Sequence, residues 1–190
     1  MNKTKKNIYF VTGNQGKFEE VKSFIDKNEP NIILKQFKTE IPEIQTLDQK
    51  AIAIQKAIKA WEIVQKPLII DDSAIYFENY YKFPGIMTKY VFKGLGFEGM
   101  VKLVEEGNKA IFLLYLVYIN GPKSFKIFEG KCSGNLTKPI KFYGNTNLPY
   151  DCFFIPFSTN KTYAQMRKTK EGEKYFHRIK ALKKFIKWWN

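Results

Sequence analysis

Apolar positions along the chain fall into short continuous runs, separated by stretches in which they recur every three or four residues. Ile8-Tyr9-Phe10-Val11 is such a run and stops at Thr12-Gly13-Asn14, the pattern of a strand ending in a turn. Over residues 15–27, Phe18, Val21, Phe24 and Ile25 keep helical spacing, and Pro30 lies beyond the expected helix end. Ile32-Ile33-Leu34 predicts a second strand, and residues 40–46 a loop carrying Pro42. Asp48 is placed to cap a helix running to about Val64, with Ala51, Ile54, Ile58 and Trp61 as its buried face and Lys56 opposite that stripe.

Pro67 ends that helical region. Leu68-Ile69-Ile70 predicts a buried strand that terminates at Asp71-Asp72-Ser73. Pro84-Gly85 marks a turn, followed by short helices over 87–92 and 98–105. The runs 111–119 and 125–128 flank Asn120-Gly121-Pro122-Lys123, a hairpin signal. Residues 141–149 form a loop, and a last helix over 173–189 carries Phe176, Ile179, Leu182, Ile186 and Trp189 as its stripe. No internal repeat or linker interrupts the pattern. Strands alternating with helices, plus one hairpin, predict an α/β fold with a mixed sheet in a single domain spanning 1–190.

Composition removes several classes. Apolar residues make up 44% of the chain and aromatics 16%, which argues against disorder. The longest apolar run is too short to cross a bilayer, and the polar start of the chain has no signal core. Cys132 and Cys152 have neither metal-ligand spacing nor a disulfide framework. The expectation is a cytoplasmic protein that does not engage a membrane. The formal charge of +14 fits nucleic acid, a polyanionic small substrate, or a bias toward lysine. Only Arg167 and Arg178 are arginines, however, and base readout and bidentate phosphate contacts favour arginine. The dispersed lysines therefore argue against nucleic acid as the main partner.

Four places carry candidate chemistry. Thr12-Gly13-Asn14-Gln15-Gly16-Lys17 joins a strand to a helix N-terminus, where unpaired N–H groups favour an anion and Lys17 adds a charge. It is not a Walker A loop, because the glycines are too close and Phe18 stands where Ser or Thr is required; an ordinary capped turn fits the hexapeptide equally well. Asp71-Asp72-Ser73 offers carboxylates of the type that hold Mg²⁺, with Glu43 as a second ligand, although a solvated turn explains the triplet too. Tyr150-Asp151 presents a ring able to stack on a base and a carboxylate able to accept from a purine N–H, or else a half-buried aromatic beside a turn. His177-Arg178 joins the only histidine to one of two arginines, a pairing that most often marks a solvated helix face.

The order of these motifs, with Pro84-Gly85, Lys161-Thr162-Tyr163-Ala164 and Ala181-Leu182, resembles the inosine triphosphate pyrophosphatase family (Ham1/RdgB type) from about Ile8 to Leu182. Similarity around Ile54-Gln55-Lys56 and Thr88-Lys89-Tyr90 is closer to its eukaryotic members than to its bacterial ones. The resemblance implies an elongated mixed sheet flanked by helices, with two lobes and a central substrate cleft. It also implies a Mg²⁺-dependent homodimer that cleaves ITP, dITP and XTP to the nucleoside monophosphate and pyrophosphate. By the same resemblance, Thr12, Gly13, Asn14 and Lys17 hold the triphosphate. Glu43 and Asp72 hold Mg²⁺, and Asp72 also activates the attacking water. Lys56, Ser73 and Lys89 line the phosphate end. Tyr150, Asp151, His177 and Arg178 frame the base. The departures gather at the base end: Phe176 replaces a Ser or Thr before His-Arg, Leu148-Pro149 replaces a Gly/Phe pair before Tyr150-Asp151, and the expected lysine is displaced to Lys170 or Lys174.

Overall fold

The computed structural model describes residues 4–167 and 169–190. In chain order the main elements are β1 (Lys6–Val11), α1 (Gln15–Asn28), β2 (Ile32–Phe37), α2 (Gln49–Val64), β3 (Leu68–Phe77), β4 (Pro84–Gly85), α3 (Thr88–Leu103), β5 (Lys109–Gly121), β6 (Ser124–Leu136), β7 (Phe154–Pro156), α4 (Tyr163–Met166) and α5 (His177–Trp189). The strands form one mixed sheet in the order β2-β1-β3-β5-β6-β7, with β4 paired to β3. β1 runs parallel to β2 and β3, β4 antiparallel to β3, and β7 antiparallel to β6. The fold is mixed α/β, as the alternation of elements predicts.

The chain divides into two compact units. The first comprises the chain up to Asp72, Tyr115–Gly130 and Ala181–Asn190. Its core packs Ala53, Ala57, Ala60 and Val64 of α2 against Val11, Leu68, Ile70, Val117 and Ile119 of the strands. This corrects the expected face of α2. Ile54, Ile58 and Trp61 are only half-buried, and small alanines take the centre because they let the helix approach the sheet closely. Lys56 lies one turn from Ile52 and Ala60, beside the buried face and not opposite it. Trp61 packs at the margin of this core, and Trp188 and Trp189 form an aromatic group with Tyr118, Phe128 and Phe185.

The second unit comprises Ser73–Leu114 and Lys131–Lys180. Its interior is aromatic: Phe112 stacks on Tyr163 at 5.2 Å, and Phe154 meets both edge-on at 4.9 Å. Gly134 of β6 lies opposite Pro156 of β7, and a Cβ there would collide with the Ile155 carbonyl oxygen and the Phe154 ring. α3 bends where Gly96 leaves helical geometry at φ 61°, which matches the two short helices expected there. α5 starts at His177. Residues 170–174 form a separate 3₁₀ turn, so the last helix is shorter than its apolar spacing predicts, and Phe185 is more deeply buried than Ile186 or Trp189.

The Asp71-Asp72-Ser73 triplet does not end its strand. β3 continues through it to Phe77, because Ala74, Ile75 and Phe77 resume the buried pattern. The acidic pair is thus inside a ten-residue strand, where alternation sends consecutive side chains to opposite faces.

Candidate active site

In the first unit β1 delivers the chain into the turn before α1. Asn14 caps that helix: its Oδ1 accepts the Lys17 N–H at 3.0 Å, while Thr12 Oγ1 accepts the Asn14 N–H at 3.1 Å. A side chain built on Gly13 meets nothing within 4 Å, so the space beside this turn is open to a ligand. The Lys17 ammonium donates to Asp71 Oδ1 at 2.9 Å, with the Asp71 carboxylate buried. Helix N–H groups, an open glycine and a fixed ammonium together suit a phosphate.

Asp72 faces the other side of β3, where Leu68 and Ile70 pack against α2. There Lys56 Nζ donates to both Asp72 Oδ1 at 3.1 Å and Glu43 Oε1 at 2.9 Å. Burial works to lower the Lys56 pKa, but the carboxylates of Asp72 and Glu43 override it and raise the value above the ordinary one. Gln49 Nε2 donates to the Asp72 carbonyl at 3.1 Å and anchors this part of the strand. Among the described residues no group of three or more His, Cys, Asp and Glu side chains is arranged to hold a metal. Two carboxylates that share one ammonium nevertheless lie within reach of one cation, and Mg²⁺ commonly binds through one or two carboxylates while retaining waters. Glu43 and Asp72 fit that pattern; Asp71 does not belong to it.

In the second unit His177 and Arg178 are 2% and 1% exposed, so the solvated-face reading fails. α5 buries both because they occupy its first turn, beside Phe176 and Ile179. The His177 ring stacks on Phe112 at 4.6 Å, and its Nε2 lies 2.9 Å from Ser73 Oγ. Tyr150 is also buried: its hydroxyl donates to the Thr88 carbonyl at 2.8 Å and its ring packs 5.8 Å from Phe92. Desolvation raises its phenol pKa. Asp151, also buried, accepts from Arg167 Nε at 2.7 Å. Lys89 and Lys174 are exposed, each above the ring of its next neighbour, Tyr90 at 5.9 Å and Tyr175 at 5.0 Å. Lys170 opens the 3₁₀ turn that Lys174 closes.

The profile of the Ham1 family matches residues 8–188, nearly the whole chain. The chain belongs to the Ham1 family. Among its relatives, the dITP/XTP pyrophosphatase of Thermococcus kodakarensis is 34% identical over 183 residues, covering 95% of this chain and 96% of the relative. That of Saccharolobus solfataricus is 36% identical over 180 residues, covering 94% and 91%. Inosine triphosphate pyrophosphatase 2 of Trypanosoma cruzi is 30% identical over 178 residues, covering 92% and 88%. The Ham1 protein structure from Coxiella burnetii superimposes with a TM-score of 0.72 at 18% identity, covering 94% of this chain and 95% of that one. The Staphylococcus aureus Ham1 protein gives 0.66 at 22%, covering 95% and 96%. These two likenesses establish the fold.

Three features of this Ham1 chain escape its motif pattern. Asp71 serves as the partner of Lys17. Thr88 accepts the Ile75 N–H at 3.1 Å through Oγ1 and the Tyr150 hydroxyl through its carbonyl. Arg167 grips Asp151 from sixteen residues away, with Phe176 beneath its guanidinium at 4.2 Å. The one available signal for Arg167 was its rarity, as one of two arginines among 32 basic residues.

Proposed function

We propose that this chain hydrolyses hypoxanthine and xanthine nucleoside triphosphates (ITP, dITP and XTP) to the nucleoside monophosphate and pyrophosphate, in a Mg²⁺-dependent reaction that clears them from the nucleotide pool. The observation that carries the reading is the first unit's pair of lysine-held carboxylates beside a capped, open helix N-terminus. Thr12, Gly13, Asn14 and Lys17 are assigned to the triphosphate, and Lys56 to charge that builds on the leaving pyrophosphate. Glu43 and Asp72 would hold Mg²⁺, which when bound polarises the phosphate oxygens. Asp72 orients and deprotonates the water that attacks the α-phosphorus. Lys17 and Lys56 both meet carboxylates before any phosphate arrives, so each is oriented in advance for the anion.

Base recognition is assigned to Asp151, His177 and Arg178, with Ser73 fixing the His177 ring. Tyr150 serves by anchoring Asp151's turn to Thr88. A 6-oxo purine offers an acceptor where adenine offers an amino donor, so Arg178 favours the former. Where a site is built around such hydrogen bonds, discrimination reaches about 10⁴–10⁵-fold. On the family resemblance Lys89 is assigned to the substrate's phosphates and Lys174, as the displaced lysine before His-Arg, to the base end. The same resemblance supports a homodimer, and the composition and unpaired cysteine spacing support a cytoplasmic location. Among the described residues no helix is long and apolar enough to cross a membrane.

The test is direct. Purified protein with Mg²⁺ and ITP should yield IMP and pyrophosphate, and Asp72→Asn should remove most turnover while leaving the melting profile intact. IDP and orthophosphate as products would reject the mechanism, and an unimpaired D72N variant would reject Asp72 as the base.

A further inference from the structure

Phe176 is a departure from the family pattern that the proposed reaction leaves unexplained, and the structure supplies it with a partner. Arg167 follows α4, and its guanidinium lies 4.2 Å from the centre of the Phe176 ring while Nε donates to Asp151 Oδ2 at 2.7 Å. Both charges are largely removed from water, with side-chain exposures of 19% for Arg167 and 6% for Asp151. Phe176 immediately precedes His177, whose ring bonds Ser73. One aromatic face therefore sits under the guanidinium that orients the carboxylate, next in sequence to the buried His-Arg pair.

We infer that Arg167 is a positioning residue for base selection, holding the Asp151 carboxylate in place and aimed, with Phe176 as the platform that fixes the guanidinium. The inference rests on the pyrophosphatase reading above. A planar guanidinium can grip a carboxylate and lie flat on a ring at once, which an ammonium cannot do. A buried ion pair of this kind contributes little net stability, and its best-attested use is to fix one arrangement. The chemistry it fixes is specific. Hypoxanthine, xanthine and guanine carry a proton on N1 that a carboxylate accepts, whereas adenine N1 is an unprotonated acceptor and faces the carboxylate lone pair to lone pair. The Arg167–Asp151 pair thus separates N1–H purines from adenine. It does not separate ITP from GTP, which share that proton.

The experiment compares wild type, Arg167→Met, Arg167→Lys, Asp151→Asn and the double variant R167M/D151N on ITP, GTP and ATP, following pyrophosphate release. In R167M the ratio of kcat/KM for ITP over ATP should fall by about tenfold, with the loss on ITP lying chiefly in KM. The ITP/GTP ratio should stay within about twofold. R167K should be intermediate, keeping the charge but not the planar group that meets Asp151 and Phe176 together; it also decides the matter if R167M fails to fold. The double variant should be no worse than the poorer single one, since both remove the same coupling. An unchanged ITP/ATP ratio, equal losses on ITP and ATP, or multiplicative effects in the double variant would overturn the inference. Absence of pyrophosphate release from ITP by wild type would instead fail the pyrophosphatase reading. In that event calorimetric binding of IMP against AMP supplies the same ratio, and a preference for IMP that R167M leaves intact would overturn the inference independently.

Discussion

The ammonium of Lys17 and the carboxylate of Asp71 meet at 2.9 Å, although fifty-four residues separate them, and they tie the start of α1 to the middle of β3. The pair joins the phosphate turn to the acidic strand in a single contact. It also explains why two consecutive aspartates have different partners: Asp71 answers to α1 and Asp72 to α2.

Removing one member of this pair should be far worse than removing both. Lys17→Met leaves a buried carboxylate without its ammonium and should destabilise the protein by about 3 kcal/mol. The double variant K17M/D71N should recover most of that loss, yet remain poor at binding triphosphate. Urea unfolding midpoints at constant slope measure the first part, and KM for ITP the second. Additive losses in the double variant would show that the pair is not coupled.

Lys56 predicts an alkaline effect. Its pKa is raised in the folded protein, so the native state holds that proton more tightly than the unfolded chain. The resulting stabilisation is fully present below the ordinary value of 10.5 and is lost as pH climbs through the higher folded value. The difference in melting temperature between wild type and Lys56→Met should therefore be constant around neutrality and shrink at strongly alkaline pH. A gap that persists undiminished there would contradict the shift.

Divalent metal should compete with Lys56 for the same two carboxylates. Mg²⁺ at ten times its Kd should add about 1.4 kcal/mol of stability to wild type. Glu43→Gln and Asp72→Asn should each diminish this response, whereas K56M, which leaves both carboxylates to the ion, should enlarge it. Thermal shift with Mg²⁺ alone, without nucleotide, reads the effect. A response unaltered by both E43Q and D72N would place the ion elsewhere.

Gly134→Ala tests the second unit alone. Its new methyl would strike the Ile155 carbonyl and the Phe154 ring, and β7 backbone cannot yield as a flexible side chain can. Destabilisation of about 3 kcal/mol is expected from overpacking at such a site. Thermal unfolding of G134A indistinguishable from wild type would mean that β6 and β7 separate more easily than their pairing indicates.

What the sequence disclosed follows from the range of each interaction. The starts of α1 and α2 were legible because Asn14 and Asp48 cap helices within three residues of themselves. The sheet's buried runs were legible because period and length are local properties. The buried face of α2 is hidden from an apolar count because large residues outrank alanine in it, while close helix–sheet packing selects Ala53, Ala57 and Ala60. The continuation of β3 through Asp71-Asp72-Ser73 is not legible locally, because three polar residues resemble a turn until their partners on α1 and α2 are known. Arg167 had no local sign of its role, since its carboxylate and its ring come from separate segments of the second unit.

The placement of the tryptophans has an experimental use. All three, Trp61, Trp188 and Trp189, belong to the first unit, whereas the second holds tyrosines and phenylalanines only as its aromatic chromophores. Indole emission therefore follows the phosphate-and-metal unit selectively. Excitation beyond the tyrosine band records its unfolding, and its response to Mg²⁺ or pyrophosphate, against a spectrally silent second unit. Near-ultraviolet tyrosine dichroism, with the indole part subtracted, is weighted toward the second unit, which holds eight of the eleven tyrosines, Tyr9, Tyr115 and Tyr118 belonging to the first, so the chain carries an optical label for one unit and a biased one for the other with no dye attached.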